Sequence, residues 1–181
     1  SISPVDGVYS FDSVTLYGDI KSKVLRETNP FISPDLLGST KILMEKIIES
    51  QNINYLNIRL PGVVGYQIND PRRPWLCKIL NRLKNNKSVE IFNYNKKFNN
   101  IVDTYEIYKF IHFLLSKKTL KSGSVNFSAT APLQLNEIIM YMKRKLNSKS
   151  KILYNNKKTT HFTNSSNKVL NKYFYKFSST K

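Results

Sequence analysis

The chain has 181 residues, 40% hydrophobic and 12% aromatic, with a formal charge of +17 and a pI near 9.9. That length and apolar content exclude a disordered chain and suit one domain with a substantial core. The absence of an apolar run of about 18 residues excludes a membrane-spanning helix, and the single cysteine, Cys77, excludes an internal disulfide framework and fits a reducing, cytoplasmic compartment.

In chain order, Gly7 to Phe11 is a short apolar run that reads as a strand and leads into a loop ending near Gly18. Asn29-Pro30 and Ser33-Pro34 punctuate the loop before the first helix. From Leu36 to Ser50 the apolar residues Leu36, Ile42, Leu43, Ile47 and Ile48 recur near helical spacing. Tyr55 to Leu60 is the next strand, closed by Pro61-Gly62, and this alternation predicts a parallel sheet with right-handed crossovers. After Pro71-Arg-Arg-Pro74 come a helix from Trp75 to Leu83, a strand from Ser88 to Phe92, a helix from Tyr105 to Leu115 and a strand from Val125 to Ser128. A last helix runs from Leu133 to Leu146, with Lys143, Arg144 and Lys145 in its final turn. Beyond Asn147 the chain is rich in lysine and asparagine, with apolar anchors such as Ile152, Phe162, Val169 and Phe174. Asp103 and Glu106 read as solvated residues at a helix entry. His112 and His161 lie far apart and, with one cysteine, make no zinc spacing.

Three motifs carry chemistry. They are Ser13-Val-Thr-Leu-Tyr-Gly-Asp19, then Leu37-Gly-Ser-Thr-Lys41 followed by Glu45, then Arg59-Leu-Pro-Gly-Val-Val-Gly65. In this order and spacing they resemble the hydroxyl-bearing strand end, the Tyr-x-x-x-Lys box and the substrate-bordering strand exit of the extended short-chain dehydrogenase/reductases, the NAD-dependent epimerase/dehydratase family. Phe98-Asn-Asn-Ile-Val-Asp103 is similar to that family's substrate-contacting strand. The resemblance implies an α/β fold, the C-terminal part of a Rossmann-type parallel sheet with a small substrate-binding subdomain. It also implies a nucleotide-sugar substrate, NAD or NADP as cofactor, and a homodimer formed through helix 36–50.

In that family hydride transfer is coupled to proton movement on the sugar oxygen, which a tyrosinate handles while a nearby lysine lowers its pKa. Tyrosine and lysine four residues apart share one helix face, so both reach the same cofactor. Carried over residue by residue, Ser13 is the hydroxyl donor, Lys41 holds the ribose and tunes the proton carrier, and Pro61 joins Ser13 and Lys41 at the cofactor. Ser13, Gly62 and Asn99 face the substrate. The chain departs from the pattern at three points. Leu37 stands where the tyrosine belongs and has no proton to give. Gly62 stands where relatives often have asparagine. Asn99 replaces an arginine that grips the diphosphate, so the charge assistance of a guanidinium is lost. Tyr17 is the nearest phenol in the motif set.

A dinucleotide fold also needs a glycine-rich turn after its first strand. The six glycines, Gly7, Gly18, Gly38, Gly62, Gly65 and Gly123, assemble no such turn. The expectation is therefore a chain without the glycine-rich half, divided as 1–66 (Rossmann half with the catalytic box), 67–100 (substrate side), 101–132 (return to the sheet) and 133–181 (substrate side). Two other readings stay open. One is a non-catalytic descendant that binds sugar nucleotides or forms complexes, supported by Leu37. The other is a basic nucleic-acid-binding module, motivated by charge alone. Against the latter, only six of the 29 basic residues are arginine, and lysine pairs with asparagine throughout, as AT-rich coding would produce. No helix or sheet module that reads nucleic acid is recognisable.

Overall fold

In the computed structural model, residues 7–65, 75–117, 120–155 and 160–179 are described, so the Pro71–Pro74 break lies outside the described residues. Strand β1 (Val8–Ser13) runs into a 3-10 turn (Val14–Tyr17), and the short β2 (Val24–Leu25) precedes helix α1 (Leu36–Ser50). The Asp35 carboxylate caps α1 by accepting from the Gly38 amide at 2.7 Å. Next come β3 (Tyr55–Leu60), β4 (Gly62–Val64), α2 (Trp75–Lys84), β5 (Val89–Phe92), β6 (Lys97–Phe98) and β7 (Ile101–Asp103). Helix α3 (Thr104–Ser116), β8 (Gly123–Asn126), β9 (Leu133–Gln134), α4 (Leu135–Lys145), β10 (Ile152–Asn155), β11 (Thr163–Asn164) and α5 (Asn167–Tyr173) complete the order. No helix among the described residues is long and apolar enough to cross a membrane.

Strands β1, β3 and β8 form a parallel sheet in the order β1-β3-β8, with Ser13 opposite Leu60 and Arg59 opposite Asn126. The period of two divides its faces by chemistry. One face presents Leu56, Ile58 and Val125. It is covered by Phe110 and Leu114 of α3, by Val169 and Tyr173 of α5, and by Phe127 and Phe177. The other presents Ser10, Asp12, Asn57, Arg59, Ser124 and Asn126, and α1 lies over it through Glu45.

That polar face turns α1 inside out. Of its residues only Gly38 and Glu45 are buried, while Leu36 (82% exposed), Leu37, Leu43, Met44 and Ile47 point away from the sheet. The apolar spacing correctly gave a helix but not its inner face, because the helix lies over a charged layer through Glu45 and meets apolar partners only through Ile42, packed on Leu16, Tyr17 and Leu25. Gly38 is required by close approach: a Cβ would stand 2.7 Å from the Thr15 carbonyl oxygen.

A second core gathers Ile79 and Leu83 of α2, Val89 and Ile91 of β5, Phe98 of β6, and Leu135 and Ile139 of α4. Strand β10 pairs with β5 beside it. The expected single substrate-side stretch 133–181 therefore divides. Helix α4 and β10 belong to the second core, whereas α5 and Phe177 close the sheet's apolar face. Apolar anchors in a lysine-rich tail show that it packs, but not against what.

Candidate functional site

Ser13 ends β1, directly opposite Leu60 at the end of β3, and Pro61 and Gly62 follow Leu60. Three of the expected site residues thus sit at the carboxyl ends of adjacent parallel strands, where α/β sheets bind ligands. Lys41 reaches the same end from α1: its Nζ donates to the Phe11 carbonyl at 3.2 Å and lies 3.8 Å from an Asp12 carboxylate oxygen. The Ser13 hydroxyl accepts from the Thr15 amide at 3.2 Å and so caps the 3-10 turn. Pro61 is buried, and the Gly62 amide donates to the Asn100 carbonyl at 3.1 Å as β4 begins.

Leu37 lies one helical turn before Lys41 and is 56% exposed, so the position is open but its side chain carries no proton. Tyr17 does not replace a phenol there. Its ring is buried, and its hydroxyl donates to Asn126 Oδ1 at 2.8 Å and accepts from Arg59 Nη1 at 2.7 Å. Burial holds this phenol above its usual pKa despite the Arg59 charge.

Asn99 stands apart from this group. Its amide donates to the carbonyls of Ala129 at 2.9 Å and Asn164 at 2.8 Å, and its oxygen accepts from the Asn164 amide at 2.9 Å. An amide nitrogen has two hydrogens, and both are used inside the protein. Asn99 is a buried clamp between β6, the segment after β8, and β11, with no hydrogen left for a phosphate.

Beneath α1 the structure reveals a charged layer that sequence reasoning had only partly located. Arg59 makes a two-pronged pair with Glu45, Nε to Oε1 at 2.8 Å and Nη2 to Oε2 at 2.7 Å. Its Cζ lies 5.3 Å from the Tyr17 ring centroid and 5.4 Å from that of Phe31. Burial works against the guanidinium charge, but the Glu45 and Tyr17 oxygens outweigh it and raise its pKa. Asp12, buried beside Lys41, accepts from the Ser10 hydroxyl at 2.8 Å, and burial raises its carboxyl above the usual value. The sequence signal for this layer was the polar alternation of Asn57 and Arg59 within an otherwise apolar strand.

Glu106 also differs from the expected solvated residue. Asp103 does cap α3, accepting from the Glu106 amide at 2.7 Å, but the Glu106 carboxylate is buried. It accepts from the Ser178 amide at 3.1 Å and hydroxyl at 2.6 Å, and Lys109 pairs with it. Burial pushes this carboxyl up, yet those donors prevail and hold it below the usual range.

Two cavities lie on the side of the second core. The larger, about 350 Å³, is lined by Trp75, Phe92, Phe98 and Phe162 together with Glu90 and His161. Trp75 and Phe98 meet edge to face at 5.2 Å. Burial, with some help from Lys96, keeps the His161 ring below its usual pKa. The smaller, about 240 Å³, is bordered by Asn99, Asp103 and Glu106. Ser13 and Lys41 line neither. Among the described residues no group of three or more potential ligands could hold a metal ion.

No protein-family model matches the sequence, and no curated protein matches it. Solved structures do. WbmG of Bordetella bronchiseptica, determined with NAD and UDP, has a TM-score of 0.76 at 12% identity over 97% of this chain and 56% of its own. The UDP-N-acetylglucosamine 4-epimerase of Methanobrevibacter ruminantium M1, determined with UDP-N-acetylmuramic acid, has a TM-score of 0.74 at 19% identity over 97% and 58%. The UDP-Glc/GlcNAc 4-epimerase of Campylobacter jejuni has a TM-score of 0.72 at 15% identity over 91% and 57%. The chain spans little more than half the length of these structures. Across the length it shares with them, it has the Rossmann-type α/β fold of the UDP-sugar 4-epimerases.

Proposed function

We propose that this chain is the substrate-side portion of an NAD(P)-dependent nucleotide-sugar epimerase, dehydratase or reductase. The observation that carries the reading is the convergence of Lys41 and Ser13 at the end of β1, next to Pro61 and Gly62 at the end of β3. In this role the Lys41 ammonium holds the ribose and the Ser13 hydroxyl orients the sugar oxygen. The aromatic cavity of Trp75, Phe92, Phe98 and Phe162 accepts the nucleotide base, since flat heterocycles stack on such walls. NAD or NADP supplies the hydride chemistry when bound.

Leu37 and the internally bonded hydroxyl of Tyr17 favour a second reading, in which the chain binds sugar nucleotides without turning them over. One experiment separates the two. With the chain joined to a glycine-rich dinucleotide-binding half, NADH fluorescence should change saturably on titration, and Lys41→Ala should weaken binding about tenfold through loss of a charge-assisted hydrogen bond. Unchanged fluorescence rejects the first reading. If Leu37→Tyr then raises turnover by about 10²-fold or more, only the proton carrier had been lost and the lineage is enzymatic. Absence of any gain favours the binding role.

A further inference from the structure

Far from Lys41 in the chain, two segments build an electropositive basin. Pairing of β2 with β11, continued by the Ser165 amide donating to the Leu25 carbonyl at 2.9 Å, sets residues 26–28 beside α5. On α5, Asn167, Lys168, Asn171 and Lys172 fall at i, i+1, i+4 and i+5 and share one face. With Arg26 they border an open depression of about 500 Å³.

Its charge is one-sided. The acid in the lining, Glu27, turns its carboxylate inward and accepts from the Asn126 amide at 2.7 Å. The Lys172 ammonium is fixed rather than mobile, donating to the carbonyls of Lys121 at 2.8 Å and Ser122 at 2.7 Å. Burial above all, and then the nearby positive charges of Lys168 and Lys121, hold its pKa below the usual lysine value. An anion set between Arg26 and Lys168 offsets that positive charge, and the exposed amides of Asn167 and Asn171 add neutral donors.

We propose that this basin is a binding site for a multivalent phosphate, a run of linked phosphate groups, set between residues 26–28 and the polar face of α5. Cations contributed by two separate segments, Arg26 after β2 and Lys168 on α5, favour a chain of phosphates over a single small anion, and Arg26 supplies a planar fork suited to phosphate oxygens. The proposal is independent of the nucleotide-sugar reading, because Ser13 and Lys41 do not line the basin.

The test uses the whole 181-residue chain and inorganic tripolyphosphate at about 0.1 M salt, where only short-range charge interactions survive screening. Calorimetry should show saturable binding, with amide shifts at Thr28, Asn167 and Asn171 in nuclear magnetic resonance spectra. Arg26→Glu with Lys168→Glu should weaken binding by at least about tenfold. Lys84→Glu with Lys87→Glu, which removes the same charge at the far end of α2, should leave it within about twofold. If the first pair compromises folding, Arg26→Gln with Lys168→Gln replaces it. Absence of saturable binding, equal losses in both pairs, or shifts confined to other regions overturns the proposal.

Discussion

Arg59 is buried against Tyr17 and Phe31, with Glu45 as its counter-charge. Glu45→Ala leaves that guanidinium unpaired and should cost about 3–5 kcal/mol, read as a lowered denaturation midpoint. Asp12 is the opposite case. Its folded pKa is raised, by burial above all, so the stability linked to its protonated form is present below the unfolded value and lost as pH rises through the folded one. Asp12→Asn should therefore be at least as stable as the native chain at pH 7, with the gap closing in acid. A clear loss of stability at pH 7 would show that the Lys41 contact outweighs burial.

At the scale of elements, the C-terminal strap and α1 each carry a prediction. Glu106 fastens residues 175–178 to α3, with the Tyr175 hydroxyl at 3.3 Å joining the Ser178 donors. Its folded pKa is depressed, so this stabilisation is full above the unfolded carboxylate pKa and is lost as pH falls through the folded one. The protection of the Ser178 amide against hydrogen exchange, relative to its intrinsic rate at each pH, should fall as the solution is acidified below the ordinary carboxylate range. Glu106→Gln should already show low protection at neutral pH, with little further loss in acid. For α1, Leu43, Met44 and Ile47 face outward, and a homodimer through helix 36–50, the expectation from the resemblance, would cover them. Leu43→Lys with Ile47→Lys should shift sedimentation towards monomer while leaving the helix intact by circular dichroism. Unaltered association would place the interface elsewhere. The helix itself was legible from the spacing of its apolar residues. Which side faced inward was not, because that depended on Asn57, Arg59 and Ser124 sharing one sheet face across separate strands.

At the scale of the whole molecule, the parallel sheet was legible because the helix 36–50 is followed by the Tyr55–Leu60 strand through a short connection. Asn99 was not legible as a clamp, since its partners Ala129 and Asn164 come from distant parts of the chain. The charged basin escaped notice for a similar reason. Arg26 meets the α5 lysines only after β2 and β11 pair.

The closing of the sheet's apolar face by α5 and Phe177 has a consequence for biosynthesis. A ribosome delivers β8 well before Val169, Tyr173 and Phe177, so the nascent polypeptide has all three sheet strands while Phe110 and Phe127 still lack their aromatic lid. Until those late residues emerge, the growing chain presents a greasy surface that chaperones or neighbouring nascent chains can seize.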